Sequence, residues 1–169
     1  GEAIDLSGNW NDTDSQLVSK EMINQSLSEG WLPRFTSKNN GKEPRVIVGR
    51  VVNKAQEHIN TETFVKDLQR ALINSGRVEF VAGGDQREAV RAERAEQASN
   101  ARDAKRQNYE NASDFMLTGT INTIFDQEGG NQVKYYQINL ELTNLESNTI
   151  VWTGDKKIKK FVSKKKFKA

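Results

Sequence analysis

The chain has 169 residues, of which 35% are apolar and 28% charged, with a formal net charge of only +2. That length allows one domain with a real core, and the near-neutral total excludes a polycation. There is no cysteine, which excludes disulfides, thiolate chemistry and cysteine metal sites.

No apolar run is long enough to span a bilayer as a helix. No basic-then-apolar start resembles a signal peptide, and the opening Gly1 is expected to mark a trimmed mature fragment. Charge is uneven: eight lysines fall between Lys156 and Lys168, and the remainder is net acidic. An ordered centre with solvated flanks is expected, divided into a leader (1–13), a single α/β domain (14–158) and a lysine-rich tail (159–169).

In the leader, Ile4, Leu6 and Trp10 sit among polar residues, so it should add a short edge strand or dock through Trp10. A helix follows over about Ser15–Glu29, with Asp12 and Asp14 as cap candidates suited to the positive helix end. Val18, Met22, Ile23 and Leu27 form its apolar stripe. Gly30 is the expected left-handed stop, with Trp31 and Leu32 entering the core. Phe35–Glu43 reads as a loop closed by Pro44.

Val46–Val52 is apolar on both sides at its start, the mark of a central strand. A helix over about Thr61–Asn74 follows, capped by Asn60 or Thr61 and ended by Gly76, with Phe64, Val65, Leu68 and Leu72 as its stripe. Arg77–Val81 is the next strand. Gly83-Gly84 turns the chain, and Asp85 with Glu88 starts a helical stretch to about Tyr109, broken near Ser99-Asn100. Three strands complete the pattern. Phe115–Ile121 comes first, then a strand with Tyr136, Ile138, Leu140 and Leu142 on one face and Gln137, Asn139 and Glu141 on the other. The last places Ile150 and Trp152 inward and frays after Ile158. Turn residues at Gln127–Asn131 and Asn144–Asn148 join them as an antiparallel meander.

Right-handed crossovers then give a three-layer α/β/α domain with a mixed five-stranded sheet of order 2-1-3-4-5, the fourth strand running against the rest. Lysines on the fifth strand would guard a sheet edge.

No catalytic, metal or cofactor site emerges. His58, the single histidine, lies in a loop without a partner in sequence. Ser15 beside Asp14 reads as a helix start. Gly83-Gly84-Asp85 could cradle phosphate on backbone N–H groups, but Asp85 would repel it and no dinucleotide or P-loop pattern is present. The lysine-rich end reads as an edge-protecting strand end. It also suits an anionic lipid surface, each lysine contributing about 1 kcal/mol near it. It lacks the stacking platforms of a nucleic-acid module. For a macromolecular partner, the residues nominated are Trp10, Tyr135 and Gln137; Trp10 also reads as a staple for its own tail.

The run Asp5-Leu6-Ser7-Gly8-Asn9-Trp10-Asn11-Asp12-Thr13-Asp14-Ser15 resembles the opening of the LpoB family of lipoproteins. These are outer-membrane activators of the bifunctional peptidoglycan synthases called penicillin-binding proteins. Val46–Val51, Leu68–Leu72 and Val78–Val81 are similar to the family's skeleton. Asp114–Ile121 is the closest local match, with Ile150–Gly154 behind it, so the resemblance covers nearly all of residues 5–155.

The resemblance implies a fold like the TolB N-terminal domain, an upstream acylated cysteine and a place on the outer membrane facing the periplasm. It also implies a penicillin-binding protein or another envelope protein as partner. It implies no enzyme activity, no cofactor, no small-molecule substrate and no nucleic acid. The Asp12-Thr13-Asp14 opening is similar to a branch other than the one with a dedicated synthase docking domain. The alternative function on the same fold is an envelope assembly or secretion-complex subunit, as in the related curli-secretion lipoproteins. No binding residue is carried over from the family.

Overall fold

The computed structural model describes residues 8–82 and 112–164. Helix α1 (Asp12–Leu27) starts at Asn11, whose side chain accepts from the Asp14 N–H at 3.0 Å while the Asp14 carboxylate accepts from the Asn11 N–H at 3.1 Å. This reciprocal box satisfies two donors that a helix start leaves open. The cap is therefore Asn11 and not Asp12 or Asp14, with Asp14 as its capping-box partner.

Gly30 is not the left-handed stop. Its φ is −69°, and it caps a further helix, α2 (Trp31–Lys38), where the sequence suggested a loop from Phe35. The Trp31 indole N–H donates to the Ser26 carbonyl at 2.8 Å, which folds the two helices against each other. Pro33 sits in the first turn of α2, where a missing N–H costs nothing.

Strand β1 (Arg45–Asn53), helix α3 (Thr61–Ser75) and strand β2 (Glu79–Phe80) form the parallel crossover unit. Asn60 caps α3 and Gly76, at φ +67°, ends it. The expected five-residue β2 is reduced to two residues, which pair only with Arg45 and Val46. The meander comprises β3 (Phe115–Glu128), β4 (Asn131–Asn144) and β5 (Thr149–Lys164). Gly129 and Gly130 both take positive φ, which suits the two-residue hairpin turn between β3 and β4.

The sheet order is β2-β1-β3-β4-β5, with β1 parallel to β2 and β3, and β4 antiparallel to both its neighbours. One face of the sheet carries the core: Phe115, Leu117, Ile121, Tyr136, Ile138, Leu140, Leu142 and Trp152 are all buried against the stripes of α1 and α3. The helical stretch placed after Gly83-Gly84, with its cap at Asp85 and Glu88, lies outside the described residues.

Two differences in β5 have clear causes. Leu142 pairs with Trp152 but Thr143 pairs with Ile150, so Val151 is an extra, bulged residue. The bulge breaks alternation and turns Ile150 outward, 54% exposed, where the sequence period had put it inward. The strand also continues past Ile158 to Lys164 instead of fraying, because β4 pairs with it along that length.

At Gly119 on β3, the neighbouring β4 leaves no room for a side chain. A Cβ there would lie 2.5 Å from Leu140 Cδ2 and 2.6 Å from the Asn139 carbonyl oxygen. Gly119→Ala is expected to destabilise the fold by about 1–3 kcal/mol, seen as a lower urea midpoint at unchanged slope. An unchanged midpoint would show that the contact yields without cost.

Candidate interaction surface

The polar groups on the core face of the meander fasten the leader. Beyond Ile138 that face carries Tyr136 and Lys134 on β4, and Ile158 and Lys160 on β5. Tyr136 is fully buried and Lys134 and Lys160 nearly so. Buried cations need partners, and each has one. The Lys134 ammonium donates to Glu57 Oε1 at 2.8 Å and to Asn9 Oδ1 at 3.1 Å. Lys160 pairs with Asp14 at 2.9 Å. The Tyr136 hydroxyl donates to the same Glu57 oxygen and accepts from the Trp10 N–H at 3.0 Å.

Trp10 is half-buried. Its ring meets Phe64 and Tyr136 edge-on, with centroids 5.7 and 5.6 Å away. Trp10, one of the nominated partner residues, is therefore placed against its own core; Ile4 and Leu6 lie outside the described residues.

Tyr135 and Gln137 lie on the opposite face of β4. Tyr135 stands between Ile124 and Lys159, and Gln137 between Asn122 and Lys157. These two rows make an open patch of mixed polarity. The Tyr135 hydroxyl donates to Glu128 Oε1 at 2.5 Å, and Lys159 pairs with the other oxygen of that carboxylate. The Lys159 bond, then the Tyr135 bond, hold the Glu128 carboxyl below its usual range, while the bond to Glu128 raises both Tyr135 and Lys159. The structure brings Tyr135 and Gln137 together on one face and Trp10 onto the other.

His58 is exposed beside Glu57 in the loop before α3. The Ser15 hydroxyl donates to Asp67 at 2.7 Å in a buried contact between α1 and α3. Among the described residues no group of three or more His, Cys, Asp or Glu side chains could hold a metal ion, and no helix is long and apolar enough to cross a membrane. Gly83-Gly84-Asp85 lies outside the described residues. A cleft of about 850 Å³ opens between α2 and the β4–β5 turn, with Trp31, Arg34, Phe35, Asp114, Glu146 and Ile150 in its walls. The Asp114 carboxylate there already accepts from the Arg45 N–H at 2.8 Å.

A parallel pair joined to an antiparallel meander in the order 2-1-3-4-5 defines an α/β domain of the kind seen in LpoB C-terminal domains. The domain from Escherichia coli matches with a TM-score of 0.56 at 13% identity, over 86% of this chain and 98% of that one. The Salmonella enterica domain matches at 0.55 with the same identity and coverage. The solution structure of Escherichia coli LpoB matches at 0.51 and 15% identity, over 85% of this chain and 66% of that one. At such identities these likenesses establish the fold. No curated protein sequence matches. The chain belongs to the LpoB family: the model described as the peptidoglycan-synthase activator LpoB matches residues 14–158. The family is one of regulators rather than catalysts.

Two predictions follow from the buried polar groups. Removing one member of a buried pair strands the other, so Lys160→Met is expected to cost about 3–5 kcal/mol in denaturant unfolding. Lys157→Met, on the exposed face, should stay within about 0.5 kcal/mol; equal effects would refute the buried pair.

Burial first, then the bond to Glu57, raises the Tyr136 phenol well above its ordinary value. The unfolded phenol ionises near pH 10 while the folded one keeps its proton, so stability is full below about pH 10 and falls as pH rises past it. Tyr136→Phe should flatten that alkaline decline in Tm. A decline as steep as in the unsubstituted protein would remove the phenol from it.

Proposed function

We propose that this chain is a non-catalytic envelope lipoprotein domain that binds and stimulates a bifunctional peptidoglycan synthase of the penicillin-binding class. Its place is the outer membrane, facing the periplasm, held by a lipid anchor upstream. The observation that carries this is the family match over residues 14–158, joined to a fold shared with LpoB C-terminal domains. The ion pairs and hydrogen bonds described above support it. Tyr136, Glu57, Lys134, Asp14 and Lys160 bind one another and the leader, which is the work of a scaffold.

The contact with the synthase centres on Tyr135 and Gln137. Tyr135 supplies a large ring at low entropic cost, and its hydroxyl is already fixed by Glu128, so little freedom is lost on binding. Gln137 adds an amide that can donate and accept. Trp10 contributes from behind by holding the leader against Tyr136, which keeps β4 in place.

The test is purified chain added to the host's bifunctional synthase in detergent, without vesicles. Glycan polymerisation is expected to rise. Tyr135→Ala with Gln137→Arg should weaken binding by about tenfold or more, as truncation of a central aromatic does, with the unfolding midpoint unchanged. No binding and no rise with the unsubstituted chain would end the proposal; full binding by the double variant would move the contact elsewhere.

A further inference from the structure

Beyond the Tyr135 row β3 emerges from its cover, while Val133 and Lys134 on β4 stay buried. Residues Ile124 to Gln127 are exposed at four consecutive positions, which a strand covered on either face would not allow. Strand alternation puts Phe125 on the same face as Ile121, and Phe161, paired with Val133, on the opposite face. Both are 59% exposed. Val162 is the extra residue of a second bulge, between Val133 and Gln132 on the partner strand, and is 42% exposed. Three large apolar side chains are thus exposed at this end of the meander, distributed over both of its faces.

On β5 the charge here has one sign, since residues 156–162 hold four lysines and no acid; Asp126 and Glu128 stand at the same end on β3, and Glu128 pairs with Lys159. Lys157 and Lys159 are exposed on the face that carries Phe161, and the Lys159 ammonium lies 5.5 Å from the centre of that ring. The leader arrives at the same end: a Cβ on Gly8 would lie 3.3 Å from the Phe161 carbonyl oxygen, and Asn9 is held by Lys134.

We propose that this end of the meander, Phe125, Phe161 and Val162 with Lys157 and Lys159, is a membrane-contact tip whose ligand is an anionic phospholipid bilayer. A flat protein surface could cover only one face of the meander. The interfacial layer of a bilayer surrounds an inserted sheet end and takes apolar groups from both faces at once. Lysines beside the apolar side chains meet anionic headgroups. A second copy of the chain would bring one lysine-rich β5 against another, which like charge opposes. The proposal rests on the envelope location given above.

The test is co-sedimentation of the full chain with vesicles of phosphatidylethanolamine and phosphatidylglycerol, against vesicles of phosphatidylcholine alone. Binding is expected to the first and not the second, and to weaken as salt is raised from about 0.05 to 0.5 M. Phe125→Ser with Phe161→Ser should reduce binding about tenfold or more, while synthase stimulation in detergent stays unchanged. If the double variant is less stable, Phe161→Ser alone should still cut vesicle binding at an unchanged unfolding midpoint.

Three results would overturn the tip. One is no binding to phosphatidylglycerol vesicles. Another is undiminished binding by the variants, which would leave only diffuse lysine attraction. The third is loss of synthase binding in detergent by the variants, which would assign these residues to a protein partner. Vesicle binding without synthase stimulation would instead count against the activator function and leave the tip intact.

Discussion

The register of the meander is the constraint on which the rest depends. Gly119, Leu140 and Gly154 stand side by side, as do Leu117, Leu142 and Trp152. In that alignment every large apolar side chain of β4 from Tyr136 to Leu142 lies on the face covered by α1 and α3. A slip of one residue would turn the whole set to the other face. Gly119 favours this register, because the Leu140 side chain of the neighbouring strand fills the space of its missing Cβ. Shifting β3 against β4 by two residues would set a real side chain there. Within β5, the Trp152 ring lies over Gly154, 2.3 Å from where a Cβ would stand.

The same register explains the buried cations. Lys134 and Lys160 face each other across β4 and β5, on the core face, at the point where the helical cover ends. Two adjacent ammonium groups would repel each other. Glu57, from the loop before α3, and Asp14, from the start of α1, each take one of them. Two distant parts of the chain are thereby required to meet the far end of the sheet. Replacing such pairs by apolar residues often costs little in stability, so their contribution here is to fix where the leader and the loop sit. Asp14 serves twice, as the capping-box partner of Asn11 and as counterion to Lys160, which links the start of α1 to the edge strand.

Most of the sheet was legible because its period is two and its turns carry Gly, Asn and Asp. Strand order followed from crossover handedness and short connections. Ile150 was misplaced because a bulge adds a residue without any sequence mark of its own. Helix α2 was missed because Gly30 read as a helix stop, whereas here it begins a helix. The buried network had a signal that patterning could have caught. Lys134 and Lys160 fall on the even-numbered positions that elsewhere carry Tyr136, Ile138 and Ile158, and a lysine in an apolar register calls for a counterion. Which acids answer it is not written in local sequence, since Glu57 lies 77 residues from Lys134. Tyr135 and Gln137 share a face through alternation alone, but the Glu128 bond that fixes Tyr135 depends on how tightly the hairpin closes.

The attachment of residues 8–10 has a mechanical consequence. Tension drawn along the leader does not act first on the end of α1. It meets the Asn9–Lys134 bond and the Trp10 N–H bond to Tyr136, both anchored in β4, and the wedge of the indole against Phe64 of α3. Load is thus shared among several contacts that must rupture together before the helix cap feels any pull.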